Sequence, residues 1–201
     1  MKKRIQTGFT LYELLVTLLI VGVVLTLGIP NLSNFARNSR VTSTSNDLHS
    51  AFHMARSESA RAKTNVTICA SANSMTPAAD CGGTWDKGYI VFIDDNADQQ
   101  RNPVGETVLR AVPESATGIT LAVEDDATYF MFASSGLGRR DVDNNLPVSR
   151  VMICDDRGIM ETSESFSAAR LFVATPLGRA TIIRDLTTVD NALPAMGKSC
   201  P

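Results

Sequence analysis

The sequence is poor in the residues that most often build reactive centres. It has two histidines, His49 and His53, and four cysteines, none of which forms a Cys-x-x-Cys pair or has a histidine at ligand spacing. A zinc centre is therefore disfavoured. The chain also lacks a Gly-x-Ser-x-Gly turn, a Cys/His nucleophile arrangement and a glycine-rich phosphate loop after a strand. Catalysis has no support from these residues, and no cofactor is implied. His49 and His53 lie four apart in a helical pattern, with no acid at zincin spacing and no evident third ligand. They read as a polar helix face. No internal repeat is visible, and the apolar run near the N-terminus is not followed by a small-x-small cleavage site.

What the chain does have is a long apolar segment. From Phe9 to Ile29 the only charged residue is Glu13, and Lys2, Lys3 and Arg4 stand just ahead of it. As a helix this run spans about 30 Å, the hydrocarbon thickness of a bilayer. It exceeds the usual secretory h-region of about 7–15 residues. The basic cluster before it predicts a cytoplasmic start, with everything beyond Pro30 across the membrane. Glu13 is the anomaly, because an acid at the centre of a membrane helix costs roughly 2.5–3.5 kcal/mol on insertion scales.

The cysteines agree with an oxidising compartment. Cys69, Cys81, Cys154 and Cys200 form an even set, which allows three connectivities. Cys69–Cys81 with Cys154–Cys200 is favoured, because the first closes a short local loop and the second fastens the C-terminal tail.

Beyond Pro30 the helical signal continues. Leu32, Phe35, Leu48, Phe52 and Ala55 fall mostly on one face, with Arg37, Arg40, Asn46, Arg56 and Arg61 elsewhere. One helix is expected from about Phe9 to Ala62, kinked rather than ended by Pro30. The remainder changes period. Short stretches at 66–71, 89–94, 106–112, 118–123, 129–134, 150–155, 170–175 and 179–185 are rich in β-branched and aromatic residues and separated by Gly, Asn, Asp and Pro. The stretch at 134–140 reads as a mobile loop, and the tail after Asp185 as loosely structured. The fold class is α+β: a long N-terminal helix, transmembrane in its first half, packed on a mostly antiparallel β-sheet head. Beyond Lys63, 11 Lys and Arg oppose 18 Asp and Glu, a net charge of −7.

The segment "TGFTLYELLVTLLIVGVVLTLGIP" resembles the N-terminal signature of type IV pilins and the pseudopilins of type II secretion. "ARSESARAK" and the later Cys…Cys–Gly–Gly–Thr–Trp–Asp–Lys–Gly–Tyr–Ile–Val–Phe run are similar to the FimT/FimU/GspH group of minor pilins and pseudopilins. The resemblance implies four parts: a prepilin leader at 1–8, a transmembrane and assembly half-helix at 9–30, an amphipathic half-helix at 31–62, and a periplasmic or extracellular head at 63–201. It also implies cleavage between Gly8 and Phe9 by a prepilin peptidase, N-methylation of Phe9, and assembly roles for Glu13 and the helix-kinking Pro30. Tyr12 departs from the Ile or Val usual in the family. The implied partners are other minor pilins and the major pilin, met through the N-terminal helix, and the implied location is the inner membrane and then a filament. Cleavage would create a cationic amine on Phe9, so Glu13 of one subunit could pair with the Phe9 amine of another and set the register. Gly22, Thr26 and Gly28 are small enough for close helix packing.

Two further readings concern the head. Asp94, Asn96 and Asp98 begin like a calcium loop, but Gln99 holds the sixth position and Gly105 the twelfth, with Glu106 one beyond. An Asx-rich hairpin turn is the favoured reading. Some FimT-like proteins bind DNA, and the resemblance places that function in a Gly-Arg-x-Arg motif. Here the match is Gly178-Arg179-Ala180-Thr181, lacking the second arginine, with Arg184, Arg139 and Arg140 as further candidates. The acidic head argues against DNA. The favoured expectation is a minor pilin near the pilus tip that helps initiate the fibre; a GspH-like pseudopilin and a DNA-binding pilin are the alternatives.

Overall fold

Thr10 precedes a helix, α1, that runs Leu11–Ala62 in a computed structural model describing residues 8–139, 148–163 and 165–200. Pro30 does not end the helix; its side chain lies outside the described ones. The chain divides into two compact units, one up to Ser39 and one from Arg40 onward.

In the first unit the apolar side chains face outward: Leu11, Leu15, Leu18, Leu19, Val24 and Ile29 are all exposed. Among the described residues, this is the one helix long and apolar enough to cross a membrane. Leu32 and Phe35 were expected on the buried face of the amphipathic half, yet both are exposed. The buried stripe starts at Val41 and continues through Ser45, Leu48, Phe52, Ala55 and Ser59. These positions alternate steps of three and four, the spacing of one helix face. The two serines fit the stripe because their hydroxyls donate back to Val41 O (2.7 Å) and Arg56 O (2.9 Å).

In the second unit two antiparallel sheets share a core with that stripe. The first is ordered β3-β2-β1-β5-β6, from β1 (Val66–Ala70), β2 (Tyr89–Ile93), β3 (Val108–Val112), β5 (Tyr129–Phe132) and β6 (Gly138–Arg139). The second is ordered β10-β9-β7-β4, from β4 (Thr120–Val123), β7 (Arg150–Cys154), β9 (Phe166–Ala174) and β10 (Ala180–Asp185), with β8 (Glu161–Ser163) on β9. Alternation sorts the side chains: Val151 and Ile153 join the central core, whereas Met152 and Cys154 join a second cluster on the opposite face. Phe52 fixes the centre, with ring centroids 5.0 Å from Phe130 in the first sheet and 4.7 Å from Phe172 in the second.

Two expectations need correction. The tail after Asp185 is a helix, α2 (Leu186–Ala195), whose Val189, Ala192 and Leu193 are buried against Leu171 and Met152. Asp185 is its N-cap, accepting from the Thr188 N–H at 2.9 Å. The stretch read as a mobile loop forms a turn and then β6, which pairs Gly138 with Phe132. Its glycines permit that pairing: a Cβ at Gly138 would sit 2.9 Å from the Phe130 ring and 3.0 Å from Pro176 O.

The disulfides join Cys69 to Cys81 and Cys154 to Cys200, closing separations of 12 and 46 residues. In the chain-entropy picture such loops are worth about 3 and about 4 kcal/mol. The second tethers the chain beyond α2 to the central strand β7.

Candidate functional site

The candidate assembly segment is the start of α1. Thr10 Oγ1 accepts from the Glu13 N–H at 3.2 Å, and Thr10 O accepts from Leu14 N–H at 3.2 Å. This is the N-cap geometry that satisfies an otherwise orphaned donor. It uses the Glu13 backbone only. Among the described residues the Glu13 carboxylate has no hydrogen bond or ion-pair partner, and Phe9 and Tyr12 beside it are 81% and 76% exposed. The hydroxyls further along are self-satisfied: Thr17 donates to Leu14 O (2.8 Å) and Thr26 to Val23 O (2.9 Å). A lipid or helix neighbour therefore meets no unpaired hydroxyl there. Gly22 has open space around it. Among the described residues of this apolar surface, the Glu13 carboxylate is the unmatched charge.

In the head, the residues weighed as a calcium loop form a hydrogen-bonded turn, the favoured reading. Asp94 is fully buried. Its Oδ2 accepts from Thr67 Oγ1 (2.7 Å) and Gln99 N–H (3.1 Å), and its Oδ1 from Asp98 N–H (3.2 Å). Asn96 donates through Nδ2 to Asp98 Oδ2 (2.7 Å), and Glu106 accepts from Asn102 N–H (2.7 Å). The carboxylates are committed to the loop's own donors, as an Asx turn requires. Among the described residues no three His, Cys, Asp or Glu side chains converge on a metal position. Burial pushes Asp94 above the usual carboxylate range, against the pull of its Thr67 and Gln99 hydrogen bonds. Glu106 is raised likewise by burial, reinforced by the negative charges of Asp94 and Asp98.

Of the arginines considered for DNA, Arg179 and Arg184 do not converge. Arg179 is exposed in the turn between β9 and β10, where its N–H is held by Thr175 Oγ1 at 3.2 Å. Arg184 lies five residues along β10, about 17 Å at strand rise, with its guanidinium 3.9 Å over the Phe166 ring. Arg140 and the side chain of Arg139 lie outside the described residues. Gly178 is required by the backbone: its φ is +73°, and a Cβ there would meet Gly136 O at 2.6 Å. Its carbonyl accepts from Arg56 at 3.0 Å.

Several groups were not singled out as sites from the sequence. Trp85 is buried and donates through Nε1 to Ala127 O at 2.9 Å. Arg110 on β3 reaches Ser50 (3.0 Å) and Asp47 (3.2 Å) on α1. Arg170 is held below the ordinary arginine range by burial and by the nearby Arg184 and Arg157 charges. Most unexpectedly, His49 and His53 meet, with Nε2 atoms 3.2 Å apart. Their i, i+4 spacing was the signal; the ring orientations were not readable.

Comparison with known proteins accords with this architecture. The sequence family described as type II transport protein GspH matches residues 44–174, and the prokaryotic N-terminal methylation motif matches residues 3–29. Among solved structures, the type IV minor pilin FimU of Pseudomonas aeruginosa is similar at 17% identity and TM-score 0.50, over 75% of this chain and 93% of FimU. A second crystal form of FimU gives 16% identity and TM-score 0.46, over 72% and 93%. No curated protein sequence matches. The FimU likeness speaks to the fold, and the GspH match covers well over half of the chain. The chain belongs to the GspH family, carries the prokaryotic N-terminal methylation motif, and is similar in fold to FimU.

Proposed function

We propose that this protein is a non-enzymatic minor pilin, inserted in the inner membrane, cleaved between Gly8 and Phe9 and N-methylated on Phe9. It then joins other minor pilins and the major pilin near the tip of a type IV pilus, where it helps initiate the fibre. The observation that carries this reading is the unpartnered Glu13 carboxylate on an otherwise exposed apolar helix surface. Such a group is costly in lipid, and the amine that cleavage creates on Phe9 of a neighbouring subunit is a matching charge. Residues 1–8 are then a leader, 9–30 the membrane and assembly half of α1, and 31–62 its second half, followed by the head.

The GspH description favours a second reading, a pseudopilin of type II secretion. Both machines would use the same helix. A DNA receptor draws less support, because Arg184 lies well along β10 from Arg179 in the preceding turn and the head is acidic. A deletion strain scored for surface pili, exoprotein release and transformation tests all three. Loss of pili supports the minor-pilin reading. Intact pili with blocked exoprotein release replaces it with the pseudopilin, and loss of transformation alone replaces it with the receptor.

A further inference from the structure

The contact between His49 and His53 is chemically incomplete. His49 Nε2 lies 3.2 Å from His53 Nε2 and 3.2 Å from the carbonyl oxygen of Ala180. One ring nitrogen carries either a proton or a lone pair. A proton directed to Ala180 O leaves the two imidazole nitrogens without a full hydrogen bond between them. A lone pair that accepts from His53 faces the carbonyl oxygen instead. With both rings charged, two N–H groups oppose each other. No single proton arrangement gives these three atoms two full, linear hydrogen bonds.

We propose that His49 Nε2, His53 Nε2 and the Ala180 carbonyl oxygen form a binding site for one divalent transition cation of the Zn²⁺, Ni²⁺ or Cu²⁺ class. At metal–nitrogen distances of about 2.0–2.1 Å, a 3.2 Å separation of the two nitrogens corresponds to an N–metal–N angle of about 100°. That is the angle of adjacent ligands in tetrahedral or tetragonal coordination. Ala180 O lies the same 3.2 Å from His49 Nε2, which puts an oxygen donor beside the pair. Imidazole selects these metals over Ca²⁺ and Mg²⁺.

The surroundings supply what the site needs. His53 is exposed and His49 half-buried, which leaves an entry path and room for water to complete the shell. Ala180 opens β10, an edge strand, so its carbonyl is free to turn to the helix. Arg56 opposes a bound cation, but its guanidinium is engaged with Gly178 O at 3.0 Å. A bound ion would cross-link α1 to β10.

The test uses the full-length chain in detergent, purified without a histidine tag and stripped with chelator. Cu²⁺ is titrated by calorimetry, and the loaded protein is examined by pulsed electron paramagnetic resonance. Because His49 and His53 are the two histidines of the chain, imidazole coupling reports this site. The expected result is one ion per chain with two coupled imidazoles, and an affinity that falls about tenfold or more in His53→Ala as one of the two ring nitrogens is lost. Zn²⁺ should raise Tm in the unmodified protein and not in that variant. His49→Gln is the second variant, with retained far-UV circular dichroism as its control. Absence of imidazole coupling, or an affinity that neither substitution changes by that factor, overturns the proposal.

Discussion

Thr10 and Glu13 are joined through the Thr10 hydroxyl and the Glu13 backbone N–H, 3.2 Å apart, while the Glu13 carboxylate is left without a partner among the described residues. Capping and charge are therefore separable on neighbouring turns of one segment. Thr10→Ala should cost the helix end about 1 kcal/mol and leave filament recruitment near normal. Glu13→Ala keeps the cap and removes the charge, so insertion and cleavage persist while incorporation drops. Immunoblots of membrane and sheared filament fractions read both. Normal recruitment of Glu13→Ala would sink the pairing.

Phe52 is the side chain on which helix and sheets converge, touching rings from both sheets. Phe52→Ala should destabilise the protein by about 3–5 kcal/mol, because the ring's transfer free energy is lost and a cavity is left. Phe52→Leu should recover much of that. Denaturant unfolding monitored at Trp85 measures both, and a loss under about 1 kcal/mol for Phe52→Ala would contradict the packing.

The helix and most strands were legible because their periods are strong and their ends are punctuated. The lower edge of the buried stripe was not: apolar content drew Leu32 and Phe35 into it, although at 100° per residue both fall well away from the face shared by Val41, Leu48 and Phe52. α2 was missed because its ten residues include Pro194 and two threonines, weak helix formers whose order comes from Asp185 and from docking on Leu171. The turn at 94–106 and the histidine pair show the same limit. Both spacings admit a metal yet read more simply as an Asx turn and a polar helix face; at the turn hydrogen-bond direction decides, because the Asp94 oxygens point to Thr67 and the loop amides.

Asp94→Ala should therefore act on stability rather than on ion binding. It strands the buried Thr67 hydroxyl and the Gln99 amide, for a loss of about 2–3 kcal/mol. Calcium should leave the Tm of the unmodified protein and of the variant unchanged. A calcium-dependent rise that Asp94→Ala abolishes would restore the ion site.

Acidification tests the histidine contact in the presence of chelator. The folded state holds His53 below its ordinary value, through burial and then His49 and Arg56. The unfolded chain thus takes up the proton first as pH falls. Stability from this group is present above about pH 6.5 and is lost as pH drops through the depressed value. Asp94 and Glu106 have the opposite sign, since raised carboxyl values make the folded state the better proton acceptor at low pH. The net slope mixes them, so the comparison is differential: between pH 7.5 and 5.5, Tm should fall more in the unmodified protein than in His53→Gln. Parallel profiles would show that the contact carries no charge penalty.

The Gly178-Arg179 pair resembles part of a DNA-binding signature, and the structure gives each residue a separate test. Gly178 has φ +73° and approaches Gly136 O so closely that a Cβ would lie 2.6 Å away. Gly178→Ala should cost about 1–3 kcal/mol through strain and the shift of that turn. Arg179 is exposed and contributes its backbone to the turn, so Arg179→Ala should stay within about 0.5 kcal/mol of the unmodified protein. Because Arg179→Ala leaves the fold intact, it is the variant that isolates nucleic-acid contact. With the charge of the head at −7 and Arg184 far along β10, gel shifts of short DNA at 150 mM salt should be weak and equal with and without Arg179. A salt-sensitive shift that Arg179→Ala removes would instead make the turn a phosphate contact, and the glycine its backbone support.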